Sequence, residues 1–553
     1  MAEWWRQADS LEAAVRAWID DDPDPVAVDE LRDLLDRLPD TAGELADRFA
    51  DRLRFGTAGL RGPLRAGPNG MNLAVVRAAA AGLGAWLDAQ GATGPLVIGY
   101  DARRRSAEFA TETARVSTGA GRPALVLPRP LPTPVLAYAV RALDAAVGVM
   151  VTASHNPPAD NGYKVYLGAQ LGGDIGAGAQ IAEPVDAGIE AAIGDIGPLS
   201  SVPLGDAGTV LGDNIVESYL EAAAELVDPR VPRELTVAYT PLHGVGGALM
   251  AEAMARAGFA APAVVAVQAA PDPDFPTVPF PNPEEPGATD RLLSLAAATG
   301  ADVAIAHDPD ADRCAVAVPD GGRWRMLHGD EVGVLLADHL MHRGVGGRYV
   351  TTIVSSSMLR AMCAARGLPY TETLTGFKWI ARAGDDLAYG YEEALGYCVA
   401  PHLVRDKDGI TAALLVCELA AGLRAQGRTL LDRLDELAAE FGVHATEQLA
   451  IRVERVSQVS DAMARVRATP PASLLGEPVT SVEDRLPDAD VLIVRGSRAR
   501  VVFRPSGTEP KLKAYLEVAE PPDADVAAAR QRARARLAGL RTEIATLLPP
   551  HLR

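Results

Sequence analysis

The stretch VMVTASHNPPADNGYKVY, residues 149–166, joins two apolar runs through a short polar segment. Its first run, VMVTA, is short and rich in β-branched residues, which predicts a strand. Ser154 stands where that strand ends, followed by His155, Asn156 and two prolines, which are ordinary turn residues. The serine is therefore either a nucleophile held on a tight turn or a turn residue without chemistry.

Short apolar runs alternate with helical segments on both sides of this stretch. Strands are predicted at 95–100, 123–128 and 145–153, and helices at 107–120 and 132–144. The N-terminal segment is acidic and amphipathic, with Leu11, Val15, Trp18 and Ile19 at helical spacing. Alternation of this kind is typical of βαβ units, and it predicts an α/β fold with mixed sheets.

The alternation restarts near residues 206 and 321, and beyond residue 441 the pattern changes to antiparallel strands closed by a long helix. We therefore predict three similar α/β domains with mixed sheets and a smaller C-terminal α+β domain. The predicted domains are residues 1–205, which include an N-terminal helical extension, and residues 206–320, 321–440 and 441–553.

The composition excludes several classes of protein. The 53 basic and 73 acidic residues give a net charge of −20, which argues against a nucleic-acid binder. Four cysteines without CxxC spacing fit a reducing compartment. The chain has no secretory signal pattern and no apolar run of about 20 residues. We expect a cytoplasmic protein that has no membrane contact.

Three aspartates alternate in the segment HDPDADR, residues 307–313: Asp308, Asp310 and Asp312. In an extended segment alternate side chains leave on one face, and Pro309 disfavours a helix. Three neighbouring carboxylates repel one another, and a hard divalent cation compensates them. An EF-hand is excluded, because Arg313 and Pro319 stand where that loop needs glycine and glutamate. The other interpretation is an acidic surface turn.

A second candidate for ligand binding is FRPSGTEPKLKAY, residues 503–515. Backbone N–H groups around a glycine between two hydroxyl residues can bind an anion, and nearby arginine and lysine side chains add positive charge. The residues concerned are Arg504, Ser506, Gly507, Thr508, Lys511 and Lys513. A plain hairpin turn is equally compatible with this pattern.

Three further segments carry weaker signals. AYGYEEALGY, residues 388–397, contains two adjacent carboxylates that could accept hydrogen bonds from sugar hydroxyls or be solvated. LTGFKWI, residues 374–380, places Lys378 after a Thr-Gly turn, and FGTAGLRG, residues 55–62, places Arg61 in a glycine-flanked loop.

Two other functional classes are not supported. A dinucleotide fingerprint fails because Leu249 stands where GxGxxG needs its last glycine. No GxSxG elbow surrounds a serine, and no catalytic triad is visible. His155 follows Ser154 directly, and in extended backbone it is expected to point away from the serine.

Four of these segments together resemble the motifs of the α-D-phosphohexomutase superfamily, the phosphoglucomutases and phosphomannomutases. TASHNP with NGYK is similar to its phosphoserine loop, and DPDADR to its magnesium loop. GYEEALGY is similar to its sugar-binding loop, and RPSGTEPKLK to its phosphate-binding loop. The resemblance runs from residue 55 to residue 515, in the order of the family. It implies a heart-shaped enzyme whose four domains each bring one loop to a central cleft.

The resemblance also implies roles for individual residues. Ser154 would carry a phosphoryl group, and its oxygen would hold Mg²⁺ together with Asp308, Asp310 and Asp312. Lys164, Lys378 or His155 would accept a proton, and Arg61 would stabilise charge. The residues implied to bind the substrate are Arg313, Thr375, Gly376, Glu392, Glu393, Arg504, Ser506, Gly507, Thr508 and Lys513.

The activity implied is an isomerase of the phosphoglucomutase and phosphomannomutase type. It would move a phosphoryl group between the 1- and 6-positions of glucose or mannose phosphate, through a phosphoserine and a sugar bisphosphate that also acts as activator. Such an enzyme would be a monomer or weak homodimer and would rotate its last domain during the reaction.

Three alternatives to a hexose mutase stay open. Ala394, Tyr397 and the following VAPHLVRDKDG resemble a phosphoglucomutase-2-like subgroup, and this leaves a phosphopentomutase as the first alternative. A phosphatase that passes the phosphoryl group to water is the second. A sugar-phosphate binder without catalysis is the third, although such a binder has no use for a phosphorylatable Ser154.

Overall fold

The computed structural model describes residue 5 and residues 8–56, 59–452, 456–505 and 511–547. The chain divides into two compact units. Unit 1 comprises Met1–Leu327, Phe377–Gly390 and Ala394–Ala425, and unit 2 comprises His328–Gly376, Tyr391–Glu393 and Gln426–Arg553.

The helices and strands alternate along most of the chain. The helices are α1 (Leu11–Asp21), α2 (Pro25–Asp36), α3 (Ala42–Arg48), α4 (Leu73–Ala89), α5 (Ser106–Gly119), α6 (Thr133–Ala142), α7 (Ala169–Gly176), α8 (Val185–Gly194), α9 (Asn214–Glu225), α10 (Gly246–Arg256), α11 (Asp290–Thr299), α12 (Gly329–His342), α13 (Met358–Arg366), α14 (Phe377–Ile380), α15 (Gly409–Arg424), α16 (Leu430–Phe441), α17 (Val456–Ala468) and α18 (Val526–Leu547). The strands are β1 (Leu60–Pro63), β2 (Leu96–Tyr100), β3 (Ala124–Val126), β4 (Val147–Val151), β5 (Asp160–Leu167), β6 (Thr209–Val210), β7 (Val237–Thr240), β8 (Ala263–Val264), β9 (Val303–His307), β10 (Cys314–Asp320), β11 (Arg323–Met326), β12 (Arg348–Thr352), β13 (Tyr370–Thr373), β14 (Leu387–Glu392), β15 (Gly396–Cys398), β16 (Val443–Arg452), β17 (Ser473–Leu474), β18 (Glu477–Asp484), β19 (Leu492–Gly496), β20 (Ala499–Pro505) and β21 (Lys511–Glu520).

The first sheet of unit 1 has the order β1-β5-β4-β2-β3-β6. Its strands β4, β2, β3 and β6 run parallel, whereas β5 runs antiparallel to β4, and the edge strand β1 runs antiparallel to β5. All five residues of β4 are buried, as expected for a strand covered on both faces. This mixed sheet brings the end of β4, and so Ser154, beside the antiparallel strand that carries Lys164.

The second sheet of unit 1 has the order β11-β10-β9-β7-β8. Strands β9, β7 and β8 are parallel, and β10 and β11 fold back antiparallel after β9. The segment HDPDADR begins with the last residue of β9, and its residues 308–313 form the turn before β10. Ligands of α/β proteins usually lie at the carboxyl ends of parallel strands, and the acidic segment begins at such an end.

Unit 2 contains a parallel pair and an antiparallel sheet. Strands β12 and β13 pair in parallel, with Tyr349 opposite Tyr370. The C-terminal sheet has the order β16-β21-β20-β19-β18-β17, and every neighbouring pair in it is antiparallel. Helices α17 and α18 contact this sheet. The predicted change to antiparallel strands in the last part of the chain is confirmed.

The N-terminal helices of unit 1 have an aromatic cluster as their core. Ser10 and Asp24 cap α1 and α2 by accepting backbone N–H groups. Trp18 is 1% exposed and meets Trp5 and Phe49 edge to face, at centroid distances of 6.4 and 6.2 Å. The predicted helical extension is therefore an ordered, packed part of unit 1.

We expect Trp18→Ala to lower the free energy of unfolding of the N-terminal helices by about 3–5 kcal/mol, because it removes a buried ring and leaves a cavity. Urea denaturation followed by tryptophan fluorescence measures the midpoint of the first transition. The control is Val26→Ala, whose side chain is 70% exposed. Equal midpoints for the two variants would contradict a packed core in this extension.

Candidate active site

Ser154 occupies a strained backbone position at the end of β4. Its φ is 52°, in the left-handed region that residues other than glycine rarely adopt. The Thr152 hydroxyl accepts the Ser154 N–H at 2.9 Å and supports this turn. The side chain is buried, and Ser154 Oγ donates to Asp308 Oδ2 at 2.8 Å. The turn therefore directs one hydroxyl into the acidic segment.

His155 contacts the serine, and the expectation that it points away is wrong. Its Nδ1 lies 3.1 Å from Ser154 Oγ. The prediction assumed extended backbone, whereas the left-handed φ of Ser154 rotates the next side chain toward the hydroxyl. Burial, and then the charges of Arg313 and Arg61, lower the pKa of His155 well below its usual value. The imidazole is therefore neutral at pH 7 and can accept a proton.

Arg103, which sequence reasoning missed, holds the loop that follows Ser154. Its guanidinium donates to the carbonyl oxygens of Ser154 and Asn156, both at 2.6 Å. It also donates to the carbonyls of Pro157 at 2.8 Å and Asp160 at 3.2 Å. Four main-chain acceptors bound by one planar cation fix the loop more firmly than an ammonium group could. The signal in the sequence was the run DARRRS directly after β2.

The three predicted aspartates form one buried cluster. One carboxylate oxygen from each lies within 4.8 Å of the others, and the side chains are at most 1% exposed. Burial, and then the charges of Asp310 and Asp312, raise the pKa of Asp308 well above its usual value. Ala311 between them adopts a left-handed φ of 51°. The repulsion that the sequence predicted is therefore present and concentrated on Asp308.

Two lysines partly neutralise this cluster. Lys164 Nζ donates to Asp310 Oδ2 at 2.8 Å and to Asp312 Oδ2 at 3.1 Å. Lys407 Nζ, absent from the sequence prediction, lies 3.3 Å from Asp312 Oδ2. Burial works to lower the pKa of Lys164, but Asp310 and Asp312 outweigh it and raise that pKa. Lys164 is therefore suited to offset negative charge.

The cluster fits a hard divalent cation. Asp310 Oδ1 and Asp312 Oδ1 are buried and receive no hydrogen bond from the described residues. Thr133 Oγ1, another residue missed from sequence, fixes the opposite oxygen of Asp310 at 2.7 Å. Carboxylate oxygens are the ligands that Mg²⁺ and Mn²⁺ prefer. An ion of this kind could therefore be coordinated by these two anionic oxygens together with Asp308.

Three other predicted residues also lie in unit 1. Arg61 donates to Asn156 Oδ1 at 3.2 Å, and so it touches the serine loop. Arg313 donates to the carbonyl of Ala394 at 2.8 Å and its backbone N–H to Asp308 Oδ1 at 3.1 Å. Lys378 Nζ lies 4.8 Å from the Trp379 ring centroid, and burial lowers its pKa although Asp186 and Glu183 oppose this. The structure thus brings the two arginines to the serine and acidic loops.

In unit 2, the two predicted sugar-binding carboxylates each accept hydrogen bonds from neighbouring residues. Glu392 Oε1 accepts the N–H of Gly376, the neighbour of Thr375, at 2.8 Å. Glu393 Oε2 accepts from the hydroxyls of Thr352 at 3.2 Å and Ser355 at 3.1 Å. Two carboxylates held by hydroxyl and amide donors are already disposed as acceptors.

The predicted anion site of unit 2 is partly described. Arg504 on β20 stands directly opposite Lys513 on β21. The register therefore places two cationic side chains side by side on neighbouring strands. The residues Ser506, Gly507 and Thr508 lie outside the described residues.

The comparisons with known proteins identify the family. Models of the phosphoglucomutase/phosphomannomutase family match residues 52–197, 217–322 and 328–441 as its alpha/beta/alpha domains I, II and III, and residues 449–535 as its C-terminal domain. These matches cover most of the chain, which therefore belongs to this family. The predicted fold class is confirmed. The predicted divisions near residues 206, 321 and 441 stay predictions.

Two curated relatives and one solved structure illustrate the similarity. A probable phosphomannomutase of Haemophilus influenzae is 44% identical over 82% of this chain and 95% of its own length. A probable phosphoribomutase of Schizosaccharomyces pombe is 34% identical over 92% of this chain and 93% of its own. A phosphoglucomutase/phosphomannomutase family protein of Burkholderia thailandensis shares the fold, with a TM-score of 0.68 at 20% identity over 88% of this chain and 97% of its own.

We expect Mg²⁺ or Mn²⁺ to stabilise the protein by about 2.7 kcal/mol at a concentration 100-fold above its Kd. Asp312→Asn keeps the shape of the side chain but removes one anionic ligand, and most of this stabilisation should disappear. Calorimetric scans with and without the ion measure the shift in Tm. Asp20→Asn, at an exposed position, is the matched control. Equal metal-induced shifts in both variants would argue against the triad as the binding site.

Proposed function

We propose that this protein is a phosphosugar mutase that moves a phosphoryl group between the 1- and 6-positions of a hexose phosphate, with Ser154 as the carrier. The observation that supports this most directly is the 2.8 Å contact between Ser154 Oγ and Asp308 in a buried acidic cluster. The turn places the Ser154 hydroxyl beside three buried carboxylates, where a phosphoryl group and a divalent cation could share one site. Membership of the mutase family points to the same activity.

The acidic cluster would hold Mg²⁺ through Asp308, Asp310, Asp312 and the oxygen of Ser154. When bound, this ion offsets the negative charge of the group in transfer. Lys164 adds a fixed positive charge on Asp310 and Asp312, and its burial makes that charge effective. Arg61 on β1 contacts the adjoining serine loop through Asn156, and its guanidinium can face the oxygens of a phosphoryl group.

His155 is the residue best placed to move the proton. When a bound sugar bisphosphate returns a phosphoryl group, the Ser154 O–P bond forms and the sugar O–P bond breaks. The hydroxyl of Ser154, which donates to Asp308 at rest, turns to His155 Nδ1, 3.1 Å away, and gives up its proton there. His155 then passes that same proton to the departing sugar oxygen. In the opposite direction, His155 takes the proton of the attacking sugar hydroxyl and returns it to the serine oxygen.

The residues of unit 2 would recognise the substrate. We assign the phosphate that is not being transferred to Arg504 and Lys513, together with Ser506, Gly507 and Thr508. Glu392 and Glu393 would accept hydrogen bonds from sugar hydroxyls, next to Thr375 and Gly376. A sugar bisphosphate that presents either phosphate to the same cationic pair would act as both intermediate and activator.

A phosphopentomutase is the second candidate. The similarity to the Schizosaccharomyces pombe probable phosphoribomutase extends over 92% of this chain, against 82% for the Haemophilus relative. The ratio of kcat/KM values for glucose 1-phosphate, mannose 1-phosphate and ribose 1-phosphate separates the two. The hexose assignment expects the highest value for glucose or mannose, and a preference for ribose would replace it.

The setting of the enzyme is also a proposal. All four cysteines are free and buried, which supports a reducing, cytoplasmic location. Among the helices of the described residues, none has the combination of length and apolar composition that a membrane span needs. We propose a small phosphosugar as the binding partner.

Ser154→Ala should abolish incorporation of label from a ³²P-labelled sugar bisphosphate and lower mutase turnover about 1,000-fold or more, because no oxygen remains to carry the group. The control is Ser200→Ala at an exposed position. Formation of the bisphosphate rather than release of inorganic phosphate distinguishes a mutase from a phosphatase. Near-normal turnover of the Ser154 variant would remove the serine from the mechanism.

The pH dependence of substrate binding tests Glu393. Burial, and then the charges of Glu392 and Asp330, raise the pKa of Glu393 to about 7. Because only the ionised carboxylate accepts hydrogen bonds at both oxygens, KM should fall about tenfold as pH rises through this pKa. Glu393→Gln cannot ionise, and its KM should keep only the dependence caused by the substrate phosphate. Superimposable profiles would exclude Glu393 from sugar recognition.

A further inference from the structure

His307, the last residue of β9, is completely buried and joins two other elements of unit 1. Its Nε2 lies 3.0 Å from the carbonyl oxygen of Gly409, and its Nδ1 lies 3.0 Å from the hydroxyl of Tyr239 on β7. A carbonyl oxygen can only accept, so Nε2 carries the hydrogen. The hydroxyl of Tyr239 then donates to Nδ1, and both ring nitrogens are satisfied.

Gly409, the first residue of α15, also contacts the acidic segment through its own backbone N–H. Its N–H donates to the carbonyl of Ala311 at 3.2 Å. A Cβ at this position would lie 2.5 Å from the carbonyl oxygen of Arg313 and 2.8 Å from that of Ala311, so the backbones touch too closely for any side chain. Hydrogen bonds therefore link Gly409 to His307 and to Ala311, on the two sides of Asp308 and Asp310. We call these three residues the bracket.

The start of α15 is itself fixed from outside this bracket. Asp408 caps the helix by accepting the N–H groups of Ile410 at 3.0 Å and Thr411 at 3.1 Å. The hydroxyl of Tyr219 donates to the same carboxylate at 3.0 Å. Gly409 is therefore a rigid acceptor for His307. A displacement of the acidic segment would break the hydrogen bond from His307 to Gly409, because the start of α15 is held in place.

The bracket opposes two effects that would otherwise deform the acidic segment. Ala311 is held at a left-handed φ of 51°, which an alanine leaves unless its surroundings over-determine it. The same turn keeps three mutually repelling carboxylates within 4.8 Å. Removal of the outside contacts would let the turn relax and the carboxylates separate.

We propose that His307 is a positioning residue that holds the acidic segment in its cation-binding shape through its hydrogen bond to Gly409. This inference rests on the proposed function, because that function makes the segment a cation site. His307 touches neither the cation nor the substrate, and its contribution is the orientation of Asp308 and its neighbours. It adds a residue to the site that lies behind the carboxylates.

The test compares His307→Met with His307→Gln in the full-length protein. Glutamine has an N–H donor at the distance of Nε2 and an oxygen that can accept from Tyr239, whereas methionine has a similar length without a donor. Binding of Mn²⁺ alone is titrated by electron paramagnetic resonance, and Tm is recorded without metal. We expect the Kd for Mn²⁺ to rise tenfold or more in the methionine variant and less than threefold in the glutamine variant.

Equal Mn²⁺ affinities of the two variants would overturn the proposal, as would a loss of affinity that only follows the loss of Tm. If the methionine variant does not fold, His307→Asn replaces it, because the shorter asparagine amide ends near the position of Nδ1 and does not reach the carbonyl oxygen of Gly409. An unchanged Kd in that variant would also overturn the proposal. A wild-type protein that binds Mn²⁺ without mutase activity would refute the proposed function but leave the role of His307 standing.

Discussion

The central constraint of this protein is the repulsion among three carboxylates buried at the end of one strand. Asp308, Asp310 and Asp312 cannot all stay ionised without nearby positive charge, and Lys164 supplies part of it from a strand of a different sheet. That requirement ties the two sheets of unit 1 together, since β5 must present its lysine where β9 ends. The serine loop must also lie beside the end of β9, because the hydroxyl of Ser154 donates to Asp308.

Two of the unusual backbone positions of unit 1 lie in the serine loop and in the acidic segment. Ser154 and Ala311 both have left-handed φ values, and both lie in turns that follow a buried strand. Each is held by contacts from outside its own turn: Arg103 binds the carbonyls after Ser154, and Gly409 binds the carbonyl of Ala311. Local strain of this kind persists only where the surroundings impose it. Contacts from a neighbouring loop and a neighbouring helix therefore fix the geometry of both turns.

The motifs and the fold class were predictable, but the supporting contacts were not. Alternating aspartates and a serine at a strand end are local patterns, and they located Ser154 and the acidic segment from sequence alone. Thr133 reaches Asp310 across 177 positions of sequence, and no local pattern marks such a contact. The prediction for the orientation of His155 was wrong for a different reason, because the residue types around Ser154 do not indicate its left-handed φ. The substrate residues of unit 2 were proposed by resemblance, and three of them lie outside the described residues.

The backbone at Ser154 also explains why this position needs serine rather than another alcohol. Threonine carries the same hydroxyl and can be phosphorylated, but its branched Cβ makes a left-handed φ a steric outlier. The exchange would preserve the reactive oxygen while forcing the turn back toward extended backbone, away from Asp308. In this fold main-chain torsion favours serine over threonine at this position, although both side chains carry a nucleophilic hydroxyl.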